Sequence, residues 1–120
     1  MPERPVPPRE IDPLEFFTRW LPEVVANDPG RRERLGDTAA TLQFDLLGDG
    51  GGCFLLHVEG GVVRGGAGPA EAVDLRLELD VETWRALNDG SLSAPEAFLR
   101  RRLRVQGSFV LALKLQIIIG

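Results

Sequence analysis

The sequence has one cysteine and one histidine in 120 residues. A single cysteine excludes an internal disulfide and suits a reducing compartment, so a cytoplasmic location is the expectation. No group of His, Cys, Asp or Glu has metal-ligand spacing, so neither a metal nor a cofactor is expected. A basic surplus is also missing. Fourteen Lys and Arg stand against 18 Asp and Glu, for a net charge of -4. Nucleic-acid binders usually carry excess positive charge, so no nucleic-acid partner is expected. The N-terminus lacks the apolar core of a secretory signal. The longest apolar tract, Phe109 to Ile119, is interrupted by Lys114 and Gln116. It is shorter than the roughly 20 residues that span a bilayer.

What is present reads as one globular domain, with 43% hydrophobic and 27% charged residues. Residues 1–11 hold Pro2, Pro5, Pro7 and Pro8 among charges and read as an extended or mobile arm, leaving 12–120 as the domain. Asp12-Pro13-Leu14-Glu15 has the form of a helix start, with Asp at the N-cap and Pro at the first helical position. That helix carries Phe16, Phe17, Trp20 and Leu21, and Pro22 is expected to kink or split it. Asn27 to Gly30 read as its end.

Alternation then predicts strands. Leu42, Phe44 and Leu46 share one face of Ala40–Leu47. Phe54, Leu56 and Val58 share one face of the next strand. Gly60-Gly61 is a two-residue hairpin signal before a short strand, Val62–Arg64, and a loop over 65–70. Val73, Leu75, Leu77 and Leu79 alternate with Asp74, Arg76 and Glu78. Asp80 caps a helix closed by Gly90, Ser93 caps another that turns Ala97 and Phe98 inward, and Ser108 caps the last. The order predicts an α+β fold with a five-stranded, mainly antiparallel sheet and helices on one face.

Candidate chemistry is sparse. Cys53 and His57 share a strand face but lie about 13 Å apart at about 3.3 Å per residue, too far for a nucleophile and its base. Gly48 to Gly52 joins two strands and lacks a following Lys-Ser/Thr, so it reads as a turn and not a phosphate loop. Arg100, Arg101, Arg102 and Arg104 form the one basic cluster. It reads either as a solvated rim or as a contact for an anionic membrane surface. Arg101 shares strand parity with Leu103 and Val105, which aims it at the mouth of an interior site.

The run Leu87-Asn88-Asp89-Gly90 through Ser93-Ala94-Pro95-Glu96-Ala97-Phe98, the strand Leu103-Arg104-Val105, the Gly107-Ser108 corner and the apolar helix from Phe109 resemble the sterol carrier protein 2 lipid-binding domain. With the Gly-rich hairpin and the strand Val73–Leu79, the resemblance covers about residues 14–119. Arg101 stands where that family commonly has Gly, and Ser108 where an acidic residue or Asn is usual. The resemblance implies a non-enzymatic carrier of a sterol-like, fatty-acyl or isoprenoid ligand in an apolar tunnel between sheet and helices.

The lining it implies is Phe17, Trp20, Leu21, Phe44, Leu46, Phe54, Leu56, Leu75, Leu77, Trp84, Phe98, Leu103, Val105, Phe109, Leu113 and Ile117, with Arg101 at the headgroup. The terminal helix is apolar nearly all round, so a ligand, a second copy of the chain or another helix must cover one side. Three rival readings are a lipid-intermediate chaperone for quinone biosynthesis, a homodimerising module, and an acyl-CoA thioesterase. The thioesterase fold needs a long central helix where residues 40–79 predict strands.

Overall fold

A computed structural model describes residues 6–119, with side chains to residue 115. The sheet runs β3-β2-β1-β4-β5. Its strands are β1 (Ala40–Leu47), β2 (Gly52–Glu59), β3 (Val62–Ala67), β4 (Leu75–Asp80) and β5 (Leu103–Gly107). All neighbouring pairs are antiparallel except β1 with β4, which are parallel. Alternation makes one face apolar. Phe54, Phe44, Leu77 and Val105 form one cross-strand row, and Leu56, Leu42 and Leu75 form the next.

The helices cover that face. The first helical segment comprises α1 (Pro13–Glu15), a π-helical turn (Phe16–Trp20) and α2 (Leu21–Ala26). The expected effect of Pro22 takes the form of this turn. Pro22 has no N–H to donate and its ring crowds the carbonyl four residues back, so the preceding turn widens and Leu21 N–H donates to the Phe16 carbonyl. The widening lets consecutive Phe16 and Phe17 both face inward, at 2% and 1% exposure. Asp12 occupies the N-cap, but its side chain makes no capping bond.

A further helix, α3 (Pro29–Leu35), lies where the sequence reads as a terminator. Asp28 accepts from Arg31 N–H and Pro29 takes the first turn, repeating the Asp-Pro pattern at 12–13. The third strand is also longer than expected, running through Gly65 and Gly66 to Ala67. A Cβ at Gly65 would sit 1.8 Å from the Phe17 carbonyl oxygen, so glycine is what allows this edge strand to pass the helix backbone.

The caps of α4 (Val81–Asp89) and α5 (Ala94–Leu99) follow the sequence. Asp80 accepts from Thr83 N–H, Ser93 accepts from Glu96 N–H, and Gly90 closes α4 in the left-handed region. Two expectations at the end of α5 fail. Phe98 does not turn inward; it is 49% exposed. This six-residue helix buries one narrow face, and Ala97 at 0% exposure occupies it. Arg101 is not on a strand either.

Arg101 N–H donates to the Phe98 carbonyl and Arg102 N–H to the Ala97 carbonyl, the pattern of a Schellman turn. Arg101 takes its left-handed position at φ 59°. That explains why glycine suits this place, and it removes Arg101 from the strand parity that aimed it inward.

The last helix, α6 (Phe109–Ile119), has α3 and α2 as its main neighbours instead of the sheet. Gly107, at φ 114°, makes the corner before it. A Cβ there would meet the Asp74 carbonyl oxygen at 2.3 Å. Lys114 Nζ donates to Thr38 Oγ1 at 2.9 Å and ties α6 to the segment after α3. Of the N-terminal arm, Ile11 is buried, and Arg85 Nη1 donates to the carbonyls of Arg9 and Ile11.

Candidate functional site

A cavity of about 530 Å³ lies between the sheet and the helices. Phe44, Leu77, Leu79 and Leu103 form its sheet wall. Phe16 and Phe17 form one side, and Trp84, Leu87 and Asn88 of α4 form another. Leu92 to Pro95 close it from the α4–α5 connection, and Arg34, Leu113 and Leu115 come from α3 and α6. Aromatic contacts stiffen one end. Phe17 lies 4.8 Å from Phe44, and Phe16 meets Trp84 edge-on at 5.2 Å.

Six of the expected lining residues meet at this cavity: Phe17, Phe44, Leu77, Trp84, Leu103 and Leu113. The structure places the others elsewhere. Leu21, Leu56 and Leu75, each at 0% exposure, are closed into solid core, and Leu46 is buried opposite Leu79 of β4 without itself lining the cavity. Phe54 is stacked on Phe17 at 5.2 Å, and Trp20 stacks on Phe16 at 5.4 Å while remaining half-buried. Val105 is half-buried on β5. Phe98 and Phe109 face outward. The Ile117 side chain lies outside the described residues.

Among the described residues, Arg34 is the one charged side chain in the lining, and no expectation included it. It sits in the last turn of α3, so overlooking that helix meant overlooking the residue. Among the described residues, Asn88, Ser93 and the Trp84 indole N–H are the other lining groups that can hydrogen-bond. Leu113, 73% exposed, stands at the rim, whereas Leu115, two residues further on and round the helix, is buried.

The opposite sheet face holds the polar chemistry. Arg76 Nε donates to Asp45 Oδ2 at 2.6 Å, and Gln43 Nε2 to Asp45 Oδ1 at 3.1 Å. Burial pushes the Asp45 carboxyl up. Hydrogen bonds from Cys53, Arg76 and Gln43 outweigh it and hold the carboxyl below its ordinary 3.8. Burial, followed by the hydrogen bond and charge of Asp45, pushes the Cys53 thiol up to about 11. A thiol held protonated is a poor nucleophile. His57 pairs with Thr41 Oγ1 at 3.1 Å, towards the other end of β2. Among the described residues, no three His, Cys, Asp or Glu side chains group to hold a metal ion.

The family model described as the SCP-2 sterol transfer family matches residues 17–120. A curated relative, hydroxysteroid dehydrogenase-like protein 2 of Rattus norvegicus, is 32% identical over 81 residues, which are 66% of this chain and 15% of that protein. The chain thus matches only a small part of that relative's length. Among solved structures, the sterol carrier protein domain 2 of Helicoverpa armigera is similar with a TM-score of 0.71 and 20% identity, covering 96% of this chain and 90% of that one. Palmitated SCP2L2 from Aedes aegypti is similar with a TM-score of 0.65 and 19% identity, covering 89% and 94%.

Proposed function

Because the chain belongs to the SCP-2 sterol transfer family, we propose that it carries one apolar lipid, an acyl chain or a molecule of similar girth, in the cavity over the β4–β5 half of the sheet. The observation that carries the reading is the cavity itself. Its 530 Å³ lies within the roughly 300–1,000 Å³ of small-molecule sites, and its wall is leucine and aromatic rings. Burying on the order of 300 Å² of ligand at about 25 cal/mol per Å² gives about 7 kcal/mol before the costs of association.

Arg34 at the mouth suits an anionic end such as a carboxylate, with Asn88 and Ser93 as neutral partners. The palmitated mosquito protein of similar fold supports an acyl chain as the ligand class. Carriage without catalysis fits the protonated Cys53 and the separate engagement of His57. Leu113 at the rim makes movement of α6 the natural route of entry and release.

Native mass spectrometry of freshly purified protein tests the reading. The expected result is a monomer with one bound lipid, whose extracted mass separates fatty acid, sterol and quinone. A ligand-free protein that takes up none of these when they are added overturns it.

A further inference from the structure

We propose that the C-terminal end of α5 and the turn after it form a docking surface for an anionic lipid bilayer. Leu99 is 80% exposed and Phe98 49%, side by side at the end of a short helix. Arg100, Arg101 and Arg102 follow directly and are exposed, and Arg104 projects from β5 with a side chain 81% exposed. Among the described residues, three carboxylates answer these four guanidiniums: Glu96 lies 2.7 Å from Arg100, Glu78 lies 3.8 Å from Arg104, and Asp80 feels the charge of Arg102. The surface is therefore locally positive in a chain of net charge -4.

The turn is held in shape. Its Schellman bonds fix the backbone, and Arg102 Nε donates to Thr83 Oγ1 of α4 at 3.1 Å. An apolar pair flanked by fixed cations suits the boundary between headgroups and acyl chains, where Phe and Leu bury their surface and arginines meet phosphates.

Charge complementarity also decides against a second copy of the chain. A symmetric pairing through Leu99 would set the same arginines against each other. The position has a use. The other end of α5, Ser93 to Pro95, walls the cavity. Six helical residues span only about 9 Å, so a docked bilayer lies close to the site that holds the lipid. The docking rests on the exposed side chains and does not require the cavity to be filled.

Sedimentation of the full chain with vesicles tests it, using phosphatidylcholine alone and phosphatidylcholine mixed with phosphatidylserine. Binding is expected only to the mixed vesicles and falls with added salt. Arg101→Gln with Arg104→Gln lowers partitioning by about fivefold per charge removed, and Leu99→Ser lowers it by about tenfold. Phe109→Ser, on α6, leaves it unchanged.

Leu99 and Arg104 are largely exposed, so these variants fold, and their uptake of a fluorescent fatty acid matches that of the unaltered protein. Equal binding to both kinds of vesicle, insensitivity to the tip substitutions, or loss confined to Phe109→Ser would overturn the assignment. So would a dimer in sedimentation equilibrium that dissociates in Leu99→Ser. Failure of fatty-acid uptake with vesicle binding intact would instead count against the carrier reading.

Discussion

One sheet face is filled in two ways. Over β2, β3 and the Leu42 end of β1 the cover is the long first helical segment, and the packing is closed: Leu21, Leu42, Val25, Leu56 and Val58 are exposed by 2% or less. Over β4 and β5 the cover is two short helices and the connection between them. There Leu77, Leu79 and Leu103 face a cavity of about 530 Å³. The strands of the two halves share the same alternation of leucine with polar residues. The difference therefore arises in the covering layer. The long first segment closes its half with Leu21 and Val25, while its widened turn sets Phe16 and Phe17 as one wall of the cavity. A helix of six residues that buries little beyond Ala97 cannot do the same.

The largest effect separates the two halves directly. Leu56→Ala in the packed half is expected to cost about 2–5 kcal/mol, because the surrounding side chains cannot collapse into the space. Leu113→Ala at the cavity rim removes a side chain already 73% exposed and is expected to cost under about 1 kcal/mol while weakening lipid binding. Urea unfolding of the ligand-free proteins, with fatty-acid titrations alongside, checks both. A similar stability loss for the two would erase the distinction.

Gly65→Ala attacks the reason the packed half closes so tightly. The added methyl group collides with the Phe17 carbonyl oxygen, and the expected loss is about 1–3 kcal/mol. A crystal structure of the variant would show β3 displaced from the helix.

Acid acts on the cavity half through Asp80, which caps α4. A hydrogen bond from the Thr83 backbone, with a smaller one from its side chain and the charge of Arg102, outweighs burial and holds the Asp80 carboxyl below its ordinary 3.8. The folded value lies below the unfolded one. Its contribution is therefore complete above about pH 4 and fades as the pH falls through the folded value. Asp80→Asn, which keeps a capping oxygen, should flatten that part of the stability–pH curve.

The smallest effect is a gain. Arg101→Gly relieves a left-handed residue at φ 59° and is expected to add about 1 kcal/mol. Thermal denaturation measures it, and no gain would mean that packing of the Arg101 side chain offsets the strain.

Much of this architecture is legible in the residues. Alternation marks β1, β2 and β4, and Asp80 and Ser93 announce their helices by capping. Gly60-Gly61, with φ of 60° and 74°, makes the hairpin its composition suggests. Asp28-Pro29 carries the same start signal as Asp12-Pro13, but the following Gly30 reads as a turn and conceals α3, and Arg34 with it.

The inward set is legible too, since a side chain's face follows from parity. Whether an inward leucine meets another side chain or a void depends on the element opposite, on its length and its approach. Leu75 and Leu77 are two residues apart on one strand with the same chemistry. Only Leu77 lines the cavity, and no pattern within β4 distinguishes them.

Methyl-resolved NMR during titration with palmitate compares the two halves in one experiment. Leucine methyls of Leu77, Leu79, Leu103 and Leu115 are expected to shift with saturation at one equivalent, while those of Leu21, Leu42 and Leu56 hold their positions. Saturable shifts in the packed leucines with silence around the cavity, or no saturable shift at all, would contradict a lipid site over β4 and β5.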